Sequence, residues 1–463
     1  MARRLAPRPV QWPALAAALA LGLLAAACAG GPAAPAGARG AAPARAVSAE
    51  LPPPSRETLP NGLKLIVQEH WAADVVAVYM WIAVGVRDEA PDQLGYSHFQ
   101  EHMLFKGTDR WGPGYIDRAV EGVGGRSNAV TSFDYTTFYM TLPADQLESA
   151  VQILADMAFR STFEPAEIDR ERQVIFEEAR IEQDNPRTAL VRQLYAMVFA
   201  GTPYGRPLLG TPPTMKAATR DRLRGYYRLH YTPDNMTMVV VGPVTPADVK
   251  GVVQRAFGAQ DNSRFKRGAA PPAQPLSGRI ARDVERPEQQ GMLGMAWLAP
   301  KADDASGNAV DLLTTIIAGA ESSRLVQSLR DRDRLVQNVK MNYSALAGAG
   351  IVTLWAELEA KDLATVEQAV LAEITRIQEQ GVTEEERQLA VTRAESQYAF
   401  DRETAEGLAF AYGLAELTWS LDEELRYIDT LRGVTREQIQ EAARRWLPTA
   451  NYARIGFAPR KAQ

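Results

Sequence analysis

The stretch His98-Phe99-Gln100-Glu101-His102 carries more information about fold and chemistry than any other part of this chain. Its pattern, H-x-x-E-H, is the inverse of the H-E-x-x-H zinc motif. On an α-helix of about 3.6 residues per turn, positions three and four apart share one face, so both imidazoles can bind one metal ion. Glu101 lies beside them, within reach of a water molecule at the metal. A zinc ion that keeps a position open for water is a hydrolytic centre, and the motif therefore predicts one.

The length and composition of the chain restrict the classes of protein it can belong to. With 463 residues it is too long for one ordinary domain, and two are expected. Its 46% apolar and 23% charged residues are typical of a soluble globular protein. A formal net charge of -5 gives no basic surface, so no nucleic-acid partner is expected. The single cysteine, Cys28, rules out an internal disulfide framework and a cysteine zinc cluster.

Residues 1–28 have the pattern of a lipoprotein-type signal peptide. Three arginines precede an Ala/Leu-rich run at 13–27, which is too short to span a bilayer comfortably and ends at Cys28. This pattern predicts export, lipidation of Cys28 and a periplasm-facing membrane lipoprotein. Ala29, by resemblance to other lipoproteins, favours the outer membrane. The alternative is a plain secretory signal that is cleaved nearby, which would leave a soluble periplasmic protein.

Two stretches rich in Ala, Pro and Gly divide the rest of the chain. Residues 29–50 have no hydrophobic period and are predicted to be a flexible tether. Residues 268–278 have a similar composition and are predicted to link two domains. The expected domains are therefore 51–267, which carries the metal motif, and 279–463, which does not.

The order of predicted elements favours α+β domains, because strands and helices follow one another without strict alternation. Pro165 suits the first position of a helix, and Thr383 with Glu386 forms a capping box that begins another. Strands are predicted at 63–68, 75–84, 131–142, 291–298 and 351–359, and helices at 144–160, 165–183 and 309–319.

The chain also shows signs of an internal duplication. Thr219 begins a helix that is followed by Asn235 and a strand, and Thr435 begins a helix that is followed by Asn451 and a strand. The two Thr are 216 residues apart, and so are the two Asn. Equal offsets across a helix, a turn and a strand favour two homologous domains. Chance similarity of two such units is the alternative.

Two histidines and a water leave one protein ligand to find, and such zinc sites usually add a carboxylate. The predicted helix at 165–183 offers five candidates: Glu167, Glu171, Glu177, Glu178 and Glu182. Residues seven apart on a helix nearly eclipse, so Glu171 and Glu178 share a face, with Glu182 near it. Val174 and Ile175 lie close to that face, which suggests that it points partly inward and needs a cation. The alternative is that these glutamates are solvated surface charges. The pattern of the helix, taken by itself, favours this alternative.

Three stretches resemble the pitrilysin/insulinase family of zinc peptidases, the inverzincins. Within that family the chain is similar to the two-domain type represented by mitochondrial processing peptidase. The resemblance extends from Leu51 to Pro459 and implies two homologous α+β domains, each a mainly antiparallel sheet packed with helices. The stretches are Gly95-Tyr-Ser-His-Phe-Gln-Glu-His-Met-Leu-Phe-Lys-Gly-Thr108, Gly124-Gly-Arg-Ser-Asn-Ala-Val-Thr-Ser-Phe-Asp-Tyr135 and Glu171-Arg-Gln-Val-Ile-Phe-Glu-Glu178.

The resemblance also implies roles for single residues. It makes Glu178, which follows His102 after 75 intervening residues, the third ligand of a Zn²⁺ cofactor beside His98 and His102. It makes Glu171 a second carboxylate that supports the site, and Glu101 the general base. Glu177 competes for the ligand role but is turned about 100° from the Glu171 face.

Substrate contacts follow from the resemblance too. The strand that carries Asn128 and Ala129 is implied to pair with the substrate backbone beside the zinc, a mode that suits unfolded peptides. The structural alternative is that Asn128 makes only a turn hydrogen bond.

The second domain departs from the family pattern. It has no H-x-x-E-H motif and is expected to bind no metal. Arg330 matches a family Arg that helps to hold the substrate carbonyl, but Gln337 stands where the family has Tyr, and Arg334 replaces a Gly. Either the enzyme is weaker, or a partner subunit supplies the missing group. Because the family chamber takes four such domains, a homodimer or a heterodimer with a related subunit is expected.

The sequence therefore predicts a zinc metalloendopeptidase of the bacterial cell envelope that acts on peptides or unfolded protein segments. The alternative is a non-catalytic or partner-dependent subunit of a heterodimeric peptidase or assembly complex. The presence of a full set of candidate ligands counts against a non-catalytic role. An envelope lipoprotein that serves as a binding module is a third reading, which requires an empty metal site.

Overall fold

The computed structural model describes residues 51–262, 265–270 and 272–460. The predicted signal peptide, the tether and Cys28 lie outside the described residues. From Pro54 onward the chain forms one compact unit. Within the described part, none of the helices has the length and apolar character needed to cross a membrane.

The first half of the chain, residues 51–267, builds a six-stranded sheet in the order β1-β2-β6-β3-β5-β4. β2 and β6 are parallel, and the other neighbours are antiparallel. The strands are β1 (Ser55–Thr58), β2 (Lys64–Glu69), β3 (Val75–Ile82), β4 (Arg126–Thr131), β5 (Thr136–Pro143) and β6 (Met236–Gly242). The α-helices are α1 (Tyr96–Leu104), α2 (Tyr115–Glu121), α3 (Leu147–Arg160), α4 (Pro165–Asp184), α5 (Pro186–Val198), α6 (Pro212–Lys216), α7 (Arg220–His230) and α8 (Pro246–Phe257). Short 3-10 helices cover Val86–Asp88, Ala144–Gln146, Pro203–Gly205 and Pro233–Asn235.

The second half, residues 279–463, builds a five-stranded sheet in the order β7-β11-β8-β10-β9. Its strands are β7 (Ile280–Arg286), β8 (Gly291–Ala299), β9 (Val336–Ala345), β10 (Gly350–Leu358) and β11 (Ala453–Pro459). Its α-helices are α9 (Gly307–Thr314), α10 (Leu363–Gln380), α11 (Glu384–Asp401), α12 (Ala405–Thr418), α13 (Leu421–Leu425), α14 (Tyr427–Arg432) and α15 (Arg436–Trp446). π-helical segments cover Thr315–Gly319 and Val326–Arg332, and a 3-10 helix covers Ala360–Asp362.

Apart from the additional edge strand β1, the two sheets have the same topology. β6 runs parallel to β2 and antiparallel to β3, and β11 runs parallel to β7 and antiparallel to β8. The helix before each of these strands, α7 or α15, has 11 residues and is capped by the predicted Thr219 or Thr435. The prediction of a two-domain α+β fold with mainly antiparallel sheets is confirmed.

Some predicted elements are wrong in detail. The strand predicted at 131–142 begins only at Thr136, the first residue of β5, because Thr131 ends β4 and a turn closed by the Ser132 N–H and the Tyr135 carbonyl lies between the two strands. The helix predicted at 309–319 is α-helical only to Thr314, and Ala318 leaves helical geometry inside the π segment. β1, β7 and β9 were not predicted. All residues of β1 and most residues of β7 are exposed. These two strands lie at sheet edges and show no alternating apolar face.

Each half lends one helix to the other half's sheet. α5 packs on β8, β10 and β11, and α12 packs on β3 and β6. At these contacts a Cβ added to Gly294 would lie 2.6 Å from the Leu190 side chain, and one added to Gly413 would lie 2.0 Å from Trp81 Nε1. Because both faces of β3 are covered, that strand is a continuous apolar run rather than an alternating one.

The turns of two equivalent hairpins also meet. Buried Asp134, in the turn between β4 and β5, accepts hydrogen bonds from Arg87 at 3.0 Å and from the Tyr204 hydroxyl at 2.9 Å. Its second oxygen accepts the Ala347 N–H, in the turn between β9 and β10, at 3.0 Å. Arg267, which precedes the predicted linker, donates to the Asp134 carbonyl at 2.6 Å. These bonds tie the two halves together beside the linker.

The close packing of α12 makes Gly413→Ala a test of the helix exchange. Alanine favours a helix over glycine by about 1 kcal/mol, but a methyl group at Gly413 collides with buried Trp81, and overpacking costs about 1–3 kcal/mol. The matched control is Gly225→Ala in α7, where nothing lies within 4 Å of the added Cβ. In urea denaturation, Gly413→Ala is expected to lower the free energy of unfolding and Gly225→Ala to raise it. Equal stabilisation by both changes would contradict the packing of α12.

Candidate metal centre

The metal motif lies on helix α1, whose first turn is held by a buried carboxylate. Glu89 accepts the Gly95 N–H and the Ser97 N–H, each at 2.8 Å. Gly95 has φ +88, and a Cβ there would lie 2.7 Å from the Gly210 backbone, so the close approach of this loop requires glycine. These contacts therefore fix the start of α1 at residues that precede His98, its first metal-binding side chain.

Helix α1 is enclosed by apolar and hydrogen-bonded neighbours. His98 and Phe99 are fully buried. The Ser97 hydroxyl lies 2.8 Å from the Tyr226 hydroxyl, and Gln100 donates to the Leu223 carbonyl at 3.0 Å, which fixes α1 against α7. The predicted short helix thus presents His98 and His102 from a rigid support.

Helix α4 packs against α1 and brings carboxylates to it. It begins at Pro165, as predicted, and Glu171 and Ile175 are on its buried face. Val174 was expected near that face but is 42% exposed, so this expectation is wrong. The side chain of Glu177 is 64% exposed and pairs with Arg180 at 3.0 Å, which turns it away from the histidines.

Three ligand atoms meet at the contact between the two helices. His98 Nε2 and His102 Nε2 are 3.3 Å apart, and Glu178 Oε2 lies 3.4 Å from His102 Nε2 and 3.7 Å from His98 Nε2. Ligand atoms of a tetrahedral zinc ion, with bonds of about 2.0–2.1 Å, are separated by about 3.3–3.4 Å. Among the side chains that the structure describes, this triad has the donor types and spacing to hold a metal. The separations fit zinc with little rearrangement.

The hydrogen bonding of the site also favours a cation. Glu178 Oε2 and Glu101 Oε2 are buried, and neither has a hydrogen-bond partner among the described residues. Burial raises the pKa of Glu101 above its ordinary value. Buried carboxylate oxygens without donors are costly, and a metal ion beside them would remove much of that cost.

Glu171 supports one of the two histidines. Its Oε2 lies 2.9 Å from His102 Nδ1, so a proton on Nδ1 leaves Nε2 free to bind a metal. Burial lowers the pKa of His102, but its hydrogen bond with Glu171 and the negative charge of nearby Glu178 outweigh burial and raise that pKa to about 9. A group of anions that holds a proton on His102 can hold a metal cation in its place.

His98 has the opposite electrostatic environment. Burial, and then the positive charges of His102 and Arg192, hold the pKa of His98 well below its ordinary value. His98 is therefore neutral at physiological pH, which is the form that binds metals. Arg192 itself pairs with Glu182 at 3.2 Å, so Glu182 is not a ligand in this geometry.

The predicted substrate strand is the edge strand of the first sheet. β4 pairs with β5 on one side and, among the described residues, with no strand on the other. It lies next to α1. Asn128 Oδ1 accepts the Ala129 N–H at 2.9 Å, a local hydrogen bond of the kind that the structural alternative required.

The candidate substrate-binding residues of the second half are paired with nearby residues or exposed to solvent. Arg330 pairs with Glu321 at 2.6 Å and with Asp331 at 2.8 Å. Gln337 is exposed on β9, the counterpart of β4. Arg334 has φ +53, in the left-handed region where the glycine of the family pattern is unstrained. Tyr343 donates to the Pro300 carbonyl at 2.8 Å and so does not take the place of the missing Tyr.

A polar cavity of about 630 Å³ is also present, and its lining residues all belong to the second half. Among them, Arg324 pairs with Glu373 at 3.0 Å and Arg436 with Glu384 at 3.7 Å. Because these arginines already have acidic partners, the cavity carries little uncompensated charge. It contributes no residue to the metal triad.

Sequence reasoning missed two residues of the centre, Glu89 and Lys106. Lys106 Nζ lies 2.9 Å from Glu171 Oε1. Its position four residues after His102, inside the stretch that carries the family resemblance, was the available signal. Glu89 is separated from the motif by a loop, and no periodicity pointed to it.

Fold and site together define a two-domain protein with a candidate His/His/Glu metal centre in its first half, and comparisons with known proteins place it in a family. Residues 65–212 match the family model described as Insulinase (Peptidase family M16). Residues 217–393 match the model described as Peptidase M16 inactive domain. This matched range begins before the predicted linker at 268–278.

Relatives and solved structures agree with these matches. The chain is 32% identical, over 401 aligned residues that cover 82% of it and 86% of the relative, to an uncharacterized zinc protease of Streptomyces coelicolor. It is 36% identical over 200 residues, 43% of this chain and 38% of the relative, to a probable mitochondrial-processing peptidase subunit beta of Arabidopsis thaliana. A protease from Helicobacter pylori has the same fold, with a TM-score of 0.83 at 20% identity, and covers 88% of this chain and 100% of its own. The chain belongs to peptidase family M16, the insulinase family.

Adjacent glutamates on α4 provide a test of the ligand set. Glu178→Gln is expected to weaken zinc binding by more than about 100-fold, because loss of a ligand should exceed the 10–100-fold typical of an outer-shell partner. Glu177→Gln, at an exposed neighbouring site, is expected to bind zinc like the parent protein. Competition titration with a chromophoric chelator measures both affinities. Equal affinities for the two variants would exclude Glu178 as a ligand.

Proposed function

We propose that this chain is a zinc-dependent metalloendopeptidase that hydrolyses peptides or unfolded protein segments. The observation that supports it best is the meeting of His98, His102 and Glu178 beside Glu101, whose Oε2 is buried without a hydrogen-bond partner among the described residues. The names of relatives as zinc proteases support the same class of reaction. The spacing of the triad fits a zinc ion, which supports Zn²⁺ as the cofactor.

The proposed mechanism divides the chemistry between the metal and the protein. Zinc, when bound, supplies Lewis acidity that polarises the scissile carbonyl and makes water a better nucleophile near neutral pH. Glu101 takes a proton from the attacking water and passes it to the leaving nitrogen. Glu171 keeps His102 in the tautomer that binds the metal.

The proposed substrate class follows from the edge strand. An extended peptide added to β4 would form backbone hydrogen bonds close to α1, where Glu101 and the triad lie. Backbone pairing depends little on side chains, so unfolded segments of varied sequence are expected substrates. Folded proteins are expected to be resistant, because their backbones are not free to add a strand.

The alternative function is a subunit that depends on a partner. Gln337 on β9 lacks the phenol of the family pattern, and Arg330 is paired with Glu321 and Asp331. One relative is named as a subunit, the mitochondrial-processing peptidase subunit beta. A homodimer, or a heterodimer with a related chain, is therefore part of the proposal.

The proposed location is the bacterial cell envelope, with the protein held at a membrane by lipidated Cys28. This part of the proposal is supported only by the residue pattern of 1–28. The mass of the N-terminal peptide of the mature protein distinguishes a lipidated Cys28 from a plain cleavage product.

The test of the mechanism is Glu101→Gln, which keeps the size of the side chain and removes the base. Hydrolysis of an unstructured, internally quenched peptide is expected to fall by about 10²–10⁴-fold or more, the range of general-base catalysis. One zinc ion per chain is expected to remain bound, because Glu101 is not a ligand. Glu177→Gln serves as the active control.

Two results would count against parts of this proposal. Retained hydrolysis in zinc-loaded Glu101→Gln would exclude Glu101 as the base. A parent protein that binds one zinc ion but cleaves no peptide would favour the partner-dependent subunit, and addition of a related chain would then be expected to restore hydrolysis.

A further inference from the structure

Lys106 lies directly after the metal helix in a backbone conformation that leaves it little freedom. Its N–H donates to the Met103 carbonyl at 3.0 Å, so the chain turns tightly at the end of α1. The next residue, Gly107, has φ +111, and a Cβ there would lie 3.0 Å from the Trp111 carbonyl oxygen. The side chain of Lys106 is 32% exposed, so it is only partly in contact with solvent.

The ammonium group is joined to a metal ligand through one carboxylate. Lys106 Nζ lies 2.9 Å from Glu171 Oε1, and Glu171 Oε2 lies 2.9 Å from His102 Nδ1. The side chain of Glu171 is only 8% exposed. One carboxylate oxygen therefore contacts Lys106 while the other contacts the imidazole.

The charges of the centre explain why a lysine is useful there. Glu101, Glu171 and Glu178 contribute three negative charges if all are ionised. A zinc ion and the Lys106 ammonium contribute three positive charges, so the loaded site is neutral when both histidines are neutral. Without Lys106, one negative charge would remain uncompensated in a largely buried site, which is costly.

We propose that Lys106 is a positioning residue of the metal centre. It anchors one oxygen of Glu171, which keeps the other oxygen on His102 Nδ1 and directs His102 Nε2 toward the metal. This inference rests on the proposed function, because it assumes that the triad binds zinc. Lys106 touches neither the triad nor the substrate in this account and acts only through Glu171.

The test compares zinc affinities of the full chain in a double-mutant cycle. Lys106→Met is expected to weaken zinc binding about 10-fold, the lower end of the effect of an outer-shell partner. Lys106→Arg keeps the positive charge and is expected to restore most of the affinity. Glu171→Gln is expected to weaken binding further, and adding Lys106→Met to it should produce no additional loss, because Lys106 acts through Glu171.

The matched control is Lys250→Met on helix α8. This change breaks a surface ion pair between Lys250 and Glu57 of β1. It is expected to leave zinc affinity unchanged. The thermal unfolding midpoint of each zinc-free variant shows whether a variant is simply less folded, and every variant is expected to be folded at the temperature of the zinc titration.

The outcomes separate this inference from the proposed function. A parent chain that binds no zinc would overturn the proposed function and this inference with it. Zinc binding by the parent with unchanged affinity in Lys106→Met would overturn the inference alone. So would a further 10-fold loss in the double variant, since independent effects multiply, or failure of Lys106→Arg to restore affinity.

Discussion

The packing of α1 against α4 is the constraint on which the rest of the site depends. It brings His98 and His102 from one helix against Glu171 and Glu178 from the other. Glu101 adds a third carboxylate to a region from which water is largely excluded. Carboxylates in such a place are stabilised by cations, so a metal ion bound there would strengthen this helix contact as well as act as a chemical reagent.

The same helix pair connects the site to the second half. α4 ends at Asp184, and α5 begins at Pro186, after the single cap residue Asn185. The helix that carries Glu178 is therefore joined by one residue to the helix that packs on the second sheet. Arg187 in α5 stacks over Trp355, 4.0 Å from the ring centre, and pairs with Glu357 at 3.0 Å. The contact between the halves and the helix that carries Glu178 are thus joined through α5.

Helical periodicity predicted the parts of the site that lie within one helix. The spacing of His98 and His102, and the common face of Glu171 and Glu178, follow from about 3.6 residues per turn. The family resemblance then selected Glu178. Lys106 was missed because its contact with Glu171 depends on how α4 packs against α1. Glu89 was missed because its contacts depend on how a loop folds back on α1. The exchange of α5 and α12 was missed because a sequence shows that a face is apolar, not which surface will cover it.

Zinc K-edge X-ray absorption of the loaded protein tests the central claim, that the α1–α4 contact is a zinc site, most directly. We expect one zinc ion per chain, with two imidazole nitrogens and a carboxylate oxygen at about 2.0–2.2 Å and a further light-atom ligand from water. Imidazole scattering from His98 and His102 should disappear together when both are replaced by alanine. A zinc shell that lacks imidazole, or one that is unchanged by these replacements, would contradict the account.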